Sequence, residues 1–246
     1  LSSYLAEDFG DRESSLGSKL FYYQTATLIR PFSPRLHSKI ATIYDQTGRF
    51  GDADHELSRF PQTTQTKLQL AQVRIHERHF PEAGNTLSSL NQKNPNVILL
   101  SAWAKFGEGN ISGARADYAK LENGGVGDAF SEDNAVLGVL LALPDAEKAS
   151  HLLRPSDPES NNLKPWVDLV DSYLSPSSKG LQTAEFYYSL ALTRPALFTV
   201  NSVILTNPDY VPAIELKFSL NQALGQTGEM QKDLKILKKL NPTHKY

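Results

Sequence analysis

An alanine recurs along this chain with a large apolar residue four positions on and another apolar residue three further. The full copies are Ala53-Leu57-Phe60, Ala83-Leu87-Leu90, Ala114-Tyr118-Leu121 and Ala184-Tyr188-Ala191. Positions i, i+4 and i+7 share one face of an α-helix, so each copy predicts an amphipathic helix with a narrow apolar stripe. Ala149-Leu153 is a partial copy, and Asp233-Leu237-Leu240 keeps the larger residues without the small one. The alanines at 53, 83, 114, 149 and 184 recur at intervals of 30, 31, 35 and 35, the length of one supersecondary unit.

A companion helix is predicted before each of the first three. Ala41, Ala71 and Ala102 stand at i−12 relative to Ala53, Ala83 and Ala114, and facing alanines let two backbones approach closely. Between them lie Gly48-Arg49-Phe50, Arg78-His79-Phe80 and Gly109-Asn110-Ile111, where glycine suits the left-handed residue that ends a helix. Gly228-Glu229-Met230 repeats that arrangement near the end of the chain. Ser33-Pro34, Asn94-Pro95 and Asn207-Pro208 pair a capping side chain with a proline suited to a first helical turn. Pro61, Pro195 and Pro242 are expected to close other units, and Lys19-Tyr23-Ala26 to belong to the second helix of a pair whose first lies within residues 1 to 10. No period-two alternation runs long enough to predict a sheet.

The pattern resembles the tetratricopeptide repeat, with its W-x2-L-G-x2-Y, A-x3-F and P signature. The fullest match is Trp166, Leu169 and Tyr173, followed by Ala184, Tyr188, Ala191 and Pro195; Ala41-Tyr44-Gly48-Ala53-Leu57 is close behind. The likeness covers residues about 18 to 242, with degenerate stretches at 122–160 and 196–207 and an insertion at 175–182. It implies a single all-α domain over 1–246, a right-handed superhelical solenoid of about six helix-turn-helix repeats. One such pair cannot bury its own apolar face and must stack on its neighbours. The implied function is non-enzymatic: a protein-protein interaction scaffold that binds a partner segment in its concave groove. The alternative is a peptide- or ligand-sensing domain of a larger regulatory protein.

Composition narrows the classes without naming a partner. With 40% hydrophobic and 21% charged residues, the 246-residue chain is not a disordered tail. The absence of cysteine excludes disulfides, thiolate metal sites and cysteine nucleophiles. A net charge of -2 offers no overall basic footprint for nucleic acid, and no apolar run approaches the roughly 20 residues of a membrane span. The chain begins at Leu1 and not at methionine, which predicts a fragment of a longer protein with an upstream anchor among the options. The compartment stays open between the cytoplasm and a membrane-anchored extracytoplasmic position.

Candidate chemistry is sparse. His76 and His79 are spaced i, i+3 in a repeat turn, whereas a helical zinc site wants i, i+4. Asn123-Gly124-Gly125-Val126-Gly127 lacks the Gly-Lys-Ser/Thr ending of a phosphate loop. Acidic residues such as Asp52, Asp54 and Glu56 are scattered and form no evident acid-base pair. No catalytic residue, metal or cofactor is therefore assigned.

The groove is the better expectation. On the first helices, the stripe not used for alanine packing comprises Ser38, Thr42 and Asp45, then Leu68, Gln72 and Ile75, then Leu99, Trp103 and Phe106. A partly apolar groove with a few hydrogen-bonders suits an extended peptide or a helix. Phe106 lies three residues before Gly109, whereas Tyr44 lies four before Gly48; a one-residue slip would turn Trp103 and Phe106 into core. Some members of the resembled family grip a terminal carboxylate with Lys and Asn, and Ser38, Thr42, Leu68 and Gln72 include neither. Lys232, Lys235, Lys238 and Lys239 read as a solvated capping face or, alternatively, a basic docking patch.

Overall fold

Helix starts are set by short polar side chains. Ser2 Oγ accepts from the Leu5 amide and opens α1 (Ser3–Arg12), and Ser15 does the same through Ser18 for α2 (Leu16–Ile29). Pro34, at the first position of α3 (Pro34–Gln46), gives up an amide that has no helical partner there. Then follow α4 (Phe50–Ser58), α5 (Thr64–His76), capped by Thr63, α6 (Phe80–Ser88), α7 (Pro95–Gly107) and α8 (Ile111–Glu122). Last come α9 (Lys179–Ser189), α10 (Thr193–Thr206), α11 (Val211–Ala223) and α12 (Thr227–Leu240). This computed structural model describes residues 2–60, 63–122, 136–138, 140–141 and 179–242, and they contain helices and no strand. The all-α class holds for them.

Two compact units are present, Leu1–Ala104 and Lys105–Tyr246, with the boundary inside α7. In the first, each helix packs on the next from α1 to α6, and α3 also touches α5. In the second, α9 to α12 pack in the same succession, and α9 also touches α11. The core of the first unit joins Leu36, Ile40 and Ala41 of α3 to Ala53 and Leu57 of α4 and Leu70 and Val73 of α5. Burying each of the larger side chains contributes roughly 1.5–3 kcal/mol. The pair predicted at the start of the chain is present as α1 and α2.

Five connections share one hydrogen-bonded turn. Its central residue has a left-handed φ: Gly48 (74°), Arg78 (66°), Gly109 (83°), Ala191 (56°) and Gly225 (67°). Each time, its amide bonds the carbonyl three residues back, and the next amide bonds the carbonyl five residues back. Arg49 reaches Tyr44 (2.7 Å), His79 Arg74 (2.8 Å), Asn110 Lys105, Leu192 Tyr187 and Gln226 Asn221 (each 2.9 Å). These paired bonds satisfy the last carbonyls of a helix and reverse the chain. Three turns are also clasped by side chains at i and i+12. Arg74 donates to Thr86 (2.7 Å), the Lys105 ammonium to Asp117, and Asn221 to Asp233 (2.7 Å).

This shared turn corrects the register of the C-terminal half. Ala184 is not on a second helix: it lies seven residues before Ala191, where Ala41, Ala71 and Ala102 lie relative to their own turns. Its partner at i+12 is Ala196, and both are fully buried. Ala191 is the turn residue itself, so α9 is a first helix and α10, the stretch that fits the repeat poorly by sequence, is its second. Pro195 accordingly sits in the first turn of α10 and closes nothing. The last such turn centres on Gly225, while Gly228 lies inside α12. Asn207 is the C-cap of α10 and not the N-cap of a helix. The readings placed on Trp166 to Tyr173, on 123–127 and on most of 122–160 and 175–182 lie outside the described residues.

An L-residue at φ 56° carries a steric penalty that glycine lacks. Ala191→Gly is therefore expected to stabilise the chain by about 0.5–1 kcal/mol, after the extra freedom glycine gives the unfolded state. Thermal unfolding checks it: an unchanged or lower Tm would deny the turn assignment.

Candidate functional site

Counted back from the left-handed turn residue, the nine candidate groove residues occupy positions ten, six and three of α3, α5 and α7. The register is the same in all three helices, so no slip separates Phe106 from Asp45. Their environments differ nonetheless. Leu68, Ile75, Leu99 and Phe106 are buried, the last two at 0% exposure, and belong to the core, not to an open groove. Phe106 meets the Tyr187 ring edge-on at 5.4 Å.

The reason is visible on α3, where Ser38, Thr42 and Asp45 are polar and their contacts explicit. Ser38 Oγ donates to Gln69 Oε1, while Gln69 Nε2 donates to the Ser38 carbonyl (2.9 Å) and to Thr42 Oγ1 (2.8 Å). Asp45 Oδ1 faces His76 Nδ1 at 2.7 Å. The stripe thus turns toward the next first helix, α5, and not toward an empty groove. Where it is apolar, packing against neighbours buries it.

Position six leans about 40° further round the helix than position ten and lies at the edge of this packing, where Thr42 still accepts from Gln69. Thr42 is exposed, and Gln72 and Trp103 are half-buried. In the second unit the corresponding residues are Glu185, exposed, and Ser219, half-buried. Among the described residues, position six is nowhere fully buried in the five helices that end in the shared turn, whereas positions ten and three are buried on α5 and α7 but stay half-buried on α3 (Ser38, Asp45) and half-buried or exposed on α11. Glu185 escapes a sequence reading in which Ala191 counts as a helical residue, and Ser219 one that centres the last turn on Gly228 instead of Gly225. The i, i+12 spacing of Ala184 and Ala196 is the signal that locates the first of them.

Among the described residues a dense charge cluster lies elsewhere, where α1, α2 and α3 meet. Glu7, buried, receives Arg30 (2.6 Å), Lys39 (2.9 Å) and Arg35 (3.0 Å). Lys39 also contacts Asp11 at 2.6 Å, and the Tyr23 hydroxyl donates to Asp11 at 2.7 Å. Burial pushes the Glu7 carboxyl up, but hydrogen bonds from Lys39 and Arg30 and the charges of Lys39 and Arg35 outweigh it and hold it below its ordinary value. Burial likewise pushes the Asp117 carboxyl up, and Lys105 and Lys120 more than offset it. A carboxylate held ionised among cations is a poor proton donor or acceptor near neutrality, so these clusters join helices. His37 plays a similar part, set between Glu56 and the Pro31 carbonyl.

His76 and His79 turn to separate carboxylates, Asp45 at 2.7 Å and Glu77 at 3.3 Å. Among the described residues no group of three His, Asp or Glu is placed to hold a metal ion. Lys232, Lys235, Lys238 and Lys239 are exposed on α12, with Lys232 2.7 Å from Glu229. No helix of the described residues is long and apolar enough to cross a membrane.

A cleft of about 360 Å³ opens in the second unit. One face of α10 supplies Arg194, Leu197, Phe198 and Asn201; Glu108 and Gly109 of the α7–α8 turn and Leu224 and Gln226 of the α11–α12 turn complete it. Gly109 allows this approach, because a Cβ there would lie 3.1 Å from the Arg194 carbonyl oxygen. Three segments far apart in sequence build the cleft, so no local motif announces it. Neither a protein-family model nor a curated protein sequence matches this chain.

Proposed function

We propose that the chain is a non-enzymatic, tetratricopeptide-like scaffold whose helix pairs stack into a right-handed superhelix and hold an extended segment of a partner protein. The observation that carries this reading is position six, filled by exposed Thr42 and half-buried Gln72 and Trp103 on three successive first helices, all three residues within the first unit. The Gln72 amide, the one acceptor lone pair left on Thr42 Oγ1 after it donates to the Ser38 carbonyl and accepts from Gln69, and one indole, spaced a repeat apart on rigid helices, suit a peptide in extended form. The paired turns and the side-chain clasps across them supply the rigidity that lowers the ordering cost of binding.

The test is a Thr42→Arg, Gln72→Glu double variant with unchanged helical circular dichroism. A partner captured by the parent chain is reduced to its binding segment, and that peptide is titrated into both proteins. At least tenfold weaker binding by the variant is expected, about 1.4 kcal/mol. Equal affinity would overturn the assignment of this edge as the binding surface.

The cleft lined by Arg194, Phe198 and Asn201 favours a second reading, a ligand-sensing domain. Its volume lies at the lower end of small-molecule sites. That reading requires a ligand whose effect on Tm is abolished by Asn201→Leu and untouched by the double variant.

A further inference from the structure

The first helix pair leaves an apolar face uncovered. Phe32 is 85% exposed, Leu28 84%, Tyr4 72%, Phe21 64% and Ile29 55%, with Leu5 and Phe9 also open. These seven all lie between Tyr4 and Phe32, whereas the rest of the described chain exposes only Tyr188, Phe198, Leu205 and Ile236 among its large hydrophobics. By contacts and spacing Leu5, Phe9, Phe21, Leu28 and Ile29 form one patch, with Phe32 three residues beyond Ile29, while Tyr4 lies apart under the Arg30 guanidinium. Leu5 and Phe9 are one helical turn apart on α1, and the Phe9 ring lies 5.7 Å from that of Tyr22 on α2. Phe21 lies 5.5 Å from Tyr22, and Leu28 and Ile29 stand at i+7 from Phe21 and Tyr22, on the same two stripes.

Such a face is large for a monomer. At roughly 200 Å² per fully exposed large apolar side chain, it presents on the order of 700 Å² without Tyr4. Monomer patches reach about 300–600 Å², and a standard interface takes about 800 Å² from each partner. Aromatic enrichment and depletion of charge are the marks of an interface core. The charges at its border are already committed: Asp8 to Arg12 at 2.8 Å, and Arg30 to Glu7 and, 4.0 Å away, to the Tyr4 ring.

We infer that this face binds a second copy of the chain, α1 and α2 of each protomer meeting the same helices of the other about a two-fold axis. Size and neutrality favour that occupant. One copy supplies about the area a stable dimer needs, and two faces whose border charges are already paired meet without like-charge repulsion. This inference does not rest on the proposed scaffold function.

Sedimentation velocity from low to high micromolar concentration tests it with the full chain. A species of twice the 27.2 kDa chain mass is expected. The Leu28→Glu, Phe32→Ser variant changes only exposed side chains and should raise the dimer dissociation constant at least about tenfold, with helical circular dichroism intact. Leu205→Glu, at another exposed apolar residue, should leave the dimer unchanged. A monomer throughout the range would overturn the inference, as would a dimer that survives the double variant. Association that Leu205→Glu weakens equally would also overturn it, as non-specific apolar contact.

Discussion

Phe106→Ala is expected to cost about 3–5 kcal/mol of stability. The side chain is fully buried and set edge-on against Tyr187, itself buried with its hydroxyl donated to the Leu140 carbonyl. Truncation removes the transfer free energy of a benzyl group and the aromatic pairing, and leaves a cavity that rigid helices close only in part. A groove residue would behave differently, with binding lost and stability kept. Thr42→Ala is the matching control. Its side chain is exposed, and its change should stay within about 0.5–1 kcal/mol, the larger value including the Gln69 hydrogen bond. Denaturant unfolding followed by circular dichroism reads both. Similar small losses for the two variants would contradict the core assignment of Phe106.

Glu7→Ala is expected to cost about 3 kcal/mol near neutral pH, the lower end of what breaking a buried ion pair costs. It leaves Arg30 and Lys39, both largely covered, facing one another without their shared acceptor, while Arg35 remains in solvent. Lys39 retains Asp11, which keeps the loss from being larger. Glu7→Gln separates charge from shape and should cost about 2 kcal/mol. Its pH dependence follows from the depressed folded value of Glu7. As pH falls the unfolded chain takes up the proton first, so the Glu7 contribution is full above about pH 4.3 and is lost as pH falls through the folded value. The gap between parent and Glu7→Gln should therefore narrow below about pH 4, while Asp11, Asp54 and Asp117, also depressed, keep both proteins acid-labile. A gap that stays constant down to pH 3 would deny Glu7 its ionised role.

Helix pairing in the first unit can be read from the sequence because it is written in local signals. Alanines at i and i+12, a left-handed turn residue between them and a proline or hydroxyl at the boundary each have a local physical cause. The same logic fails at Ala191. Its left-handed conformation is imposed by the turn's hydrogen bonds on a residue that usually signals helix, so the pattern alone puts Ala184 on the wrong member of its pair. The site is harder to read. Positions ten and three of a first helix are polar on α3 and apolar on α5 and α7, and composition cannot say whether such a stripe meets solvent or the next helix. Burial decides it, and burial depends on contacts about one repeat away, such as Ser38 with Gln69 and Asp45 with His76. The cleft at Arg194 and the aromatic face of α1 and α2 depend still more on assembly.

The most direct test uses the absence of cysteine. Single cysteines placed in turn at Thr42, Gln72, Leu68, Ile75, Leu99 and Phe106 report accessibility through their rate of reaction with a maleimide, compared among variants that retain the parent circular dichroism. Thr42→Cys and Gln72→Cys should react freely in the folded chain and be protected by a bound partner peptide. Cysteines at Leu68, Ile75, Leu99 and Phe106 should react only on unfolding. Rapid labelling of Leu99→Cys and Phe106→Cys in the folded state would contradict the account, because the stripe would then be an open groove and position six would have no special claim to the partner.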